Sequence, residues 1–91
     1  MIQTVVMPQL GLTMEEGTVV DWLKEVGDRV EVGEPLLIVE NDKSEVEIEA
    51  VASGYLLRVA APGLTAPVGA VIATLGDIPD EQADDVQLYE Q

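Results

Sequence analysis

Hydrophobic and polar positions along the chain follow patterns that are typical of β-strands. Short apolar runs rich in β-branched residues cover residues 2–7, 17–20 and 36–39, and the last is the kind expected for a strand buried on both faces. The clearest strand covers residues 45–50, where acidic and apolar side chains alternate strictly. Residues 9–16 lack a period of two, so we expect a loop with some apolar content there.

Residues 19–26 also carry apolar side chains at helical spacing, and an internal repeat decides between helix and strand. The two segments 17–23 and 27–39 recur as 54–60 and 63–75, at offsets of 37 and 36 residues. In the second copy a helix would run into Pro62, which lacks a backbone donor and clashes with the preceding turn. The structure shared by the two copies is therefore predicted to be extended.

Two copies of one strand unit predict an all-β domain with approximate two-fold internal symmetry. Two small sheets packed face to face, or a flattened barrel, would bury the repeated apolar positions together. The copies meet at residues 40–45, Glu-Asn-Asp-Lys-Ser-Glu, and Asn, Asp and Ser between two strands favour a turn. Lys43 is therefore predicted to lie at the tip of a hairpin.

The charge balance is strongly acidic, with 18 acidic residues, 4 basic residues and a net charge of −14. This argues against nucleic acid as a partner, because phosphate binding needs a basic footprint. The chain has no cysteine and no histidine, which removes disulfides, thiol chemistry and most zinc sites. Residues 77–91 carry six acids and no base, so we expect an acidic flexible linker or tail after a domain that covers residues 1–76.

No secretory signal and no membrane segment are expected. The opening of the chain lacks a basic segment followed by an apolar run. Residues 59–76 contain no charge, but prolines and glycines interrupt them, which favours a water-soluble domain.

Lys43 is the basic residue that falls in a predicted tight turn. It is either a solubilising surface residue or a lysine presented for modification. Any acylation of Lys43 is expected to require an outside enzyme and an activated acyl donor. The acidic residues 45, 47 and 49 are expected to form a solvated strand face, and no serine elbow, phosphate loop or zinc spacing is present.

A set of spaced residues resembles the lipoyl domain of the dihydrolipoamide acyltransferase component of 2-oxoacid dehydrogenase complexes. The resemblance covers residues 2–76 and includes a loop pattern, both glycine frames and a lysine motif. The matching positions are Met7, Pro8, Leu10, Met14, Glu16, Gly17, Thr18, Trp22, Gly27, Asp28, Val30, Gly33, Glu40, Asn41, Asp42, Lys43, Glu49, Ala50, Gly54, Val68 and Gly69.

The resemblance implies a flattened β-barrel of two four-stranded antiparallel sheets with pseudo-two-fold symmetry. It also implies a non-catalytic carrier domain with lipoic acid attached through an amide to Lys43, inside an attachment turn formed with Asn41, Asp42 and Ser44. The implied residues for partner recognition are Leu10, Gly11, Leu12, Thr13, Met14, Glu15 and Glu40.

The implied partners are those of a swinging arm. A lipoate ligase or lipoyl transferase would attach the cofactor. The arm would then carry acyl groups and reducing equivalents between a thiamine diphosphate-dependent decarboxylase, an acyltransferase core and dihydrolipoamide dehydrogenase. By the same resemblance the isolated domain is expected to be a monomer, from a bacterial cytoplasm or a mitochondrial matrix.

The sequence departs from the family pattern in two places. Asn41 stands where threonine is usual, which bears on recognition by the ligase. Gly11-Leu12 stands where many pyruvate-type domains have Ser-Pro, so acetoin-type and branched-chain-type complexes stay open. Three alternatives remain: a biotin carrier domain, against which Asp42 and Ser44 argue; a glycine-cleavage carrier protein, which is longer and lacks the loop pattern; and an unmodified structural adaptor.

Overall fold

A computed structural model describes residues 1–82 and 86–90 of the protein. The chain forms two four-stranded antiparallel sheets. The strands are β1 (Gln3–Val6), β2 (Glu16–Trp22), β3 (Arg29–Val30), β4 (Pro35–Glu40), β5 (Glu45–Glu49), β6 (Gly54–Val59), β7 (Thr65–Pro67) and β8 (Val71–Gly76). Sheet A has the order β1-β8-β6-β3, and sheet B has the order β5-β4-β2-β7. Within the described ranges there is no helix, and hence none that could cross a membrane. The all-β prediction is confirmed.

The predicted internal symmetry relates the two sheets. Strands β1 to β4 correspond in order to β5 to β8, and each sheet takes two strands from each copy. Backbone hydrogen bonds repeat accordingly: the Gly27 N–H donates to the Leu56 carbonyl, and its equivalent, Gly63, donates to the Val19 carbonyl, both at 2.7 Å. Gly27 and Gly63 have φ values of 97° and 96°, in the left-handed region that favours glycine. The two halves are therefore interlocked.

The segment with helical spacing is extended, as the repeat predicts, and β2 runs through it to Trp22. Several strand bounds differ from the sequence pattern by one or two residues, and backbone pairing explains two of these differences. Met7 lies beyond β1 because its backbone pairs with Gly69 and Ala70, outside β8. Glu16, predicted to be in the loop, belongs to β2, because it pairs with Pro67 on β7.

The core between the sheets is aliphatic. Its largest fully buried side chains include Met7, Leu36, Leu37, Leu56 and Ile72. Burying each such side chain contributes roughly 1.5–3 kcal/mol to the folding free energy, so this core is a main source of the stability of the domain. The packed sheets position the turns at both ends of the molecule.

Residues 86–90 lie against sheet A. The Arg58 Nη1 donates a hydrogen bond to the Val86 carbonyl at 2.7 Å. The Tyr89 N–H donates to the Val71 carbonyl at 2.8 Å, and Tyr89 packs against the core. Arg58 on β6 pairs with Thr74 on β8, so the two side chains lie on the same face of sheet A. Thr74 is fully buried. Part of the predicted linker, residues 83–85 and 91, lies outside the described residues, and the linker role of residues 77–91 stays a prediction.

Candidate functional site

The β4–β5 hairpin presents Lys43 at its tip, as predicted. The Asn41 N–H donates to the Ser44 carbonyl at 3.0 Å, which closes the turn. The Asn41 Oδ1 accepts hydrogen bonds from the backbone N–H groups of Lys43 and Ser44, each at 2.8 Å. An asparagine that bonds the backbone two and three residues ahead holds a turn in one conformation. These hydrogen bonds stabilise the turn, and Lys43 is exposed at its tip.

The first loop, residues 8–15 between β1 and β2, lies beside this hairpin. Thr18 on β2 pairs with Glu40 on β4, so the start of β2 is adjacent to the end of β4. The loop that leads into β2 consequently approaches the turn that follows β4. Two clefts form between them, of about 440 Å³ and about 290 Å³.

The two clefts differ in their lining residues. The larger cleft is lined mainly by polar and acidic residues, namely Thr13, Met14, Glu15, Glu16, Gly17, Thr18, Glu40, Asn41 and Asp42. The smaller cleft includes the lysine and several apolar side chains, namely Leu10, Gly11, Thr13, Met14, Asn41, Asp42, Lys43, Ser44 and Val46. Both clefts therefore join predicted recognition residues to predicted attachment residues.

Two apolar side chains anchor the first loop to the scaffold. Leu10 and Met14 are half-buried and pack against the core. The Met14 N–H donates to the Gly11 carbonyl at 3.2 Å, and the Leu10 N–H donates to the Met14 Sδ, also at 3.2 Å. By contrast, Leu12 at the loop tip is 100% exposed. The loop is thus held at its base and open at its tip.

The first loop is also where the internal symmetry fails. Met7 and Ala50 are equivalent, because each exchanges two backbone hydrogen bonds with equivalent turns. Nine residues separate Met7 from Gly17, whereas three residues separate Ala50 from the equivalent Gly54. Of the two pseudo-equivalent ends of the molecule, the end with the lysine hairpin carries the longer loop. This asymmetry indicates that the lysine end is specialised.

The surroundings of Lys43 are acidic. Glu15, Asp42 and Glu45 are exposed nearby, and Glu40 is the direct cross-strand partner of Glu45. Like charges at opposed strand positions repel one another. Within residues 1–82 and 86–90 no ion pair joins Lys43 to a carboxylate, and no cluster there could hold a metal ion.

An acidic group with a perturbed pKa lies away from this site. The Glu34 carboxylate accepts a hydrogen bond from the Glu31 N–H at 2.7 Å and pairs with the Lys24 Nζ at 3.2 Å. The Glu31 N–H first, and Lys24 second, hold the pKa of Glu34 below its usual value. Glu34 belongs to the β3–β4 turn, and its carboxylate stabilises that turn rather than contributing to the site around Lys43.

Four residues at the site were missed by the sequence reasoning, and one of them is Glu16, which lines the larger cleft. Val46 lines the smaller cleft, although its alternation with acids on β5 indicated only that it faces inward. Thr18 lines the larger cleft. Gly17 matters because a Cβ there would lie 2.8 Å from the Met14 Cε and 2.9 Å from the Val39 Cγ1. The repeat singled out Gly17, but sequence alone does not show which side chains pack over it.

Comparison with known proteins agrees with this geometry. The family model for biotin and lipoyl attachment domains, described as "Biotin-requiring enzyme", matches residues 3–75. A dihydrolipoyllysine-residue acetyltransferase component of the pyruvate dehydrogenase complex from Corynebacterium glutamicum is 46% identical, over 89% of this chain and 12% of its own length. Component 5 of the chloroplastic pyruvate dehydrogenase complex of Arabidopsis thaliana is 42% identical, over 91% and 18%.

A third relative has a different named system. The acetyltransferase component of the acetoin cleaving system of Pseudomonas putida is 44% identical, over 93% of this chain and 24% of its own length. The chain therefore spans less than a quarter of the length of these three relatives. It belongs to the biotin and lipoyl attachment domain family. Its relatives place it among the lipoyl domains of acyltransferase components, so the resemblance seen in the sequence is confirmed.

Proposed function

We propose that the protein is a carrier domain that bears a lipoyl group on Lys43 and moves acyl groups and reducing equivalents between enzymes of a multienzyme complex. The main support for this proposal is the exposed Lys43 at the tip of a turn that the Asn41 side chain stabilises. A ligase must enclose this amine, and an amine at a hairpin tip is open to such an enzyme. The residues present therefore fit a covalently attached lipoyl group.

The scaffold contributes position and recognition rather than bond chemistry. When attached, a lipoyl group supplies the dithiolane that accepts acyl groups and electrons. Asn41 fixes the backbone from which the Lys43 side chain extends. Leu12 and Glu15 offer an exposed apolar contact and a charge beside it, and we propose that a thiamine diphosphate-dependent decarboxylase recognises them together with Glu40.

The remaining partners follow from the same carrier role. We propose an acyltransferase core, dihydrolipoamide dehydrogenase and a lipoate ligase or lipoyl transferase as the other proteins that meet Lys43. If residues 77–91 tether the domain in a longer chain, the tether raises the effective concentration of the arm at each active site. The complex would be of the 2-oxoacid or acetoin type, in a bacterial cytoplasm or an organelle matrix.

Intact mass spectrometry tests this function directly. The protein is incubated with lipoate, ATP and a lipoate ligase, and the modified residue is mapped by peptide fragmentation. We expect a gain of one lipoyl group at Lys43, no gain for Lys43→Arg and a normal gain for Lys24→Arg, which replaces the chain's other lysine. A biotin-sized gain with a biotin ligase would instead support a carboxylase carrier, and no gain with either enzyme would support an adaptor.

A further inference from the structure

The smaller cleft lies next to Lys43, the proposed modification site. Lys43 itself lines the cleft, together with Leu10, Met14 and Val46. Leu10 and Met14 also pack against the core, so this apolar surface is held by the scaffold and does not depend on a partner. Lys43 therefore borders a preformed cleft in which these three apolar side chains lie among the polar residues Thr13, Asn41, Asp42 and Ser44.

The size of the cleft and its three apolar side chains suit an occupant that is itself part polar and part apolar, such as an amide-linked lipoyl arm. A volume of about 290 Å³ lies just below the roughly 300–1,000 Å³ of ordinary small-molecule sites, which suits a short alkyl chain ending in a small ring. The Met14 side chain is unbranched and its thioether is polarisable, so it can adapt its shape to an apolar group beside it. The larger cleft is instead bordered by Glu15, Glu16 and Glu40, which would not favour an uncharged apolar group.

We infer that the smaller cleft, whose apolar side chains are Leu10, Met14 and Val46, is a resting site for the lipoyl arm of Lys43. This inference rests on the proposed function. The arm alternates between the cleft and water, and a partner that binds the first loop releases it because the loop forms one wall of the cleft. Loop recognition and exposure of the dithiolane are thereby coupled through the same residues.

The three methionines provide a built-in test. Met1 is 86% exposed, Met7 is fully buried in the core and Met14 lines the cleft. The 91-residue protein is labelled with ¹³C at the methionine methyl groups, lipoylated, confirmed by mass and compared with the unmodified protein by NMR. We expect the Met14 methyl signal to shift and to show cross-relaxation with arm protons, while the Met1 and Met7 signals stay in place.

A second measurement tests the cleft with variants, and its control detects a variant that disturbs the fold. Reduction of the arm by a water-soluble phosphine is timed in the lipoylated wild type, in Val46→Ser and in Leu12→Ser, which alters the same end of the molecule without touching the cleft. If the arm rests in the cleft for about two thirds of the time, reduction is about threefold slower than for a free arm. Val46→Ser should remove this protection and Leu12→Ser should keep it, with the Met7 signal reporting the core in each.

The outcomes separate the two proposals. A lipoylated protein whose Met14 signal is unmoved, and whose arm is reduced at the same rate in all three proteins, overturns the resting site and leaves the carrier function standing. Failure of the ligase to modify Lys43 overturns the carrier function, and the resting site with it. A shifted Met14 signal and faster reduction in Val46→Ser support both.

Discussion

The Asn41 Oδ1 accepts a hydrogen bond from the Lys43 N–H at 2.8 Å, so the Asn41 side chain supports the backbone of Lys43. The same oxygen accepts the Ser44 N–H at 2.8 Å. Asn41 is half-buried between the hairpin and the first loop, where it lines both clefts. We therefore propose that Asn41 positions Lys43 for modification, although it differs from the threonine usual in the family.

Asn41→Ala should slow lipoylation without unfolding the domain. Loss of the shared acceptor removes support worth about 1 kcal/mol from the turn, and we expect kcat/KM of the ligase to fall about fivefold. Asn41→Asp keeps an oxygen at the same place and should restore most of the rate. Equal rates for wild type and Asn41→Ala, measured by intact mass over time, would show that the turn needs no side-chain support.

Leu12→Ser should weaken recognition by the decarboxylase. Leu12 is 100% exposed at the loop tip, so the substitution costs the free domain little stability. Loss of one apolar contact at an interface should lower kcat/KM for reductive acylation about tenfold, and Glu15→Ala should act in the same direction. Val51→Ser is the matched control, because Val51 is 85% exposed in the equivalent loop at the opposite end. Equal losses for Leu12→Ser and Val51→Ser would contradict a local recognition site.

The repeat is the reason that so much of the fold could be predicted from the sequence. Residues 19–26 fit a helix by spacing alone, and Pro62 in the second copy removes that option. The hairpin at Lys43 followed from the turn-forming residues between two strands. A repeat, a proline and a set of turn-forming residues can all be read directly from one sequence.

The clefts could not be predicted in the same way, because they depend on packing between distant segments. The approach of the first loop to the hairpin follows from the pairing of Thr18 with Glu40, and no local pattern encodes that register. The contact of Tyr89 with sheet A is also non-local, and the acidic composition of residues 77–91 indicated only a polar tail.

Gly17→Ala should loosen the base of the first loop. A Cβ at Gly17 would lie 2.8 Å from the Met14 Cε and 2.9 Å from the Met7 Sδ and the Val39 Cγ1, so these side chains must shift. Overpacking of this kind typically costs about 1–3 kcal/mol, which urea unfolding would measure. Gly11→Ala is the control, because a Cβ there meets nothing within 4 Å. The same stability for both variants would show that the loop base tolerates the added methyl group.

Glu34→Gln should change how stability depends on pH. The pKa of Glu34 is lowered in the folded protein, chiefly by the Glu31 N–H and then by Lys24. A lowered pKa stabilises the fold above the unfolded value of 4.5, and this stabilisation is lost as the pH falls through the folded value. The difference in unfolding free energy between wild type and Glu34→Gln should therefore be largest near neutral pH and shrink below about pH 4.5. A difference that stays constant from pH 7 to pH 3 would contradict the assignment.

Tyr89→Ala should destabilise sheet A. The Tyr89 ring packs against the core, so its removal should lower the unfolding free energy by about 1–2 kcal/mol. The hydrogen bond from the Tyr89 N–H to the Val71 carbonyl involves backbone atoms and survives the substitution, so the loss reports the ring. Gln87→Ala serves as the control, because Gln87 is exposed in the same segment. Equal urea midpoints for the two variants would mean that the Tyr89 ring adds nothing to the stability of the folded domain.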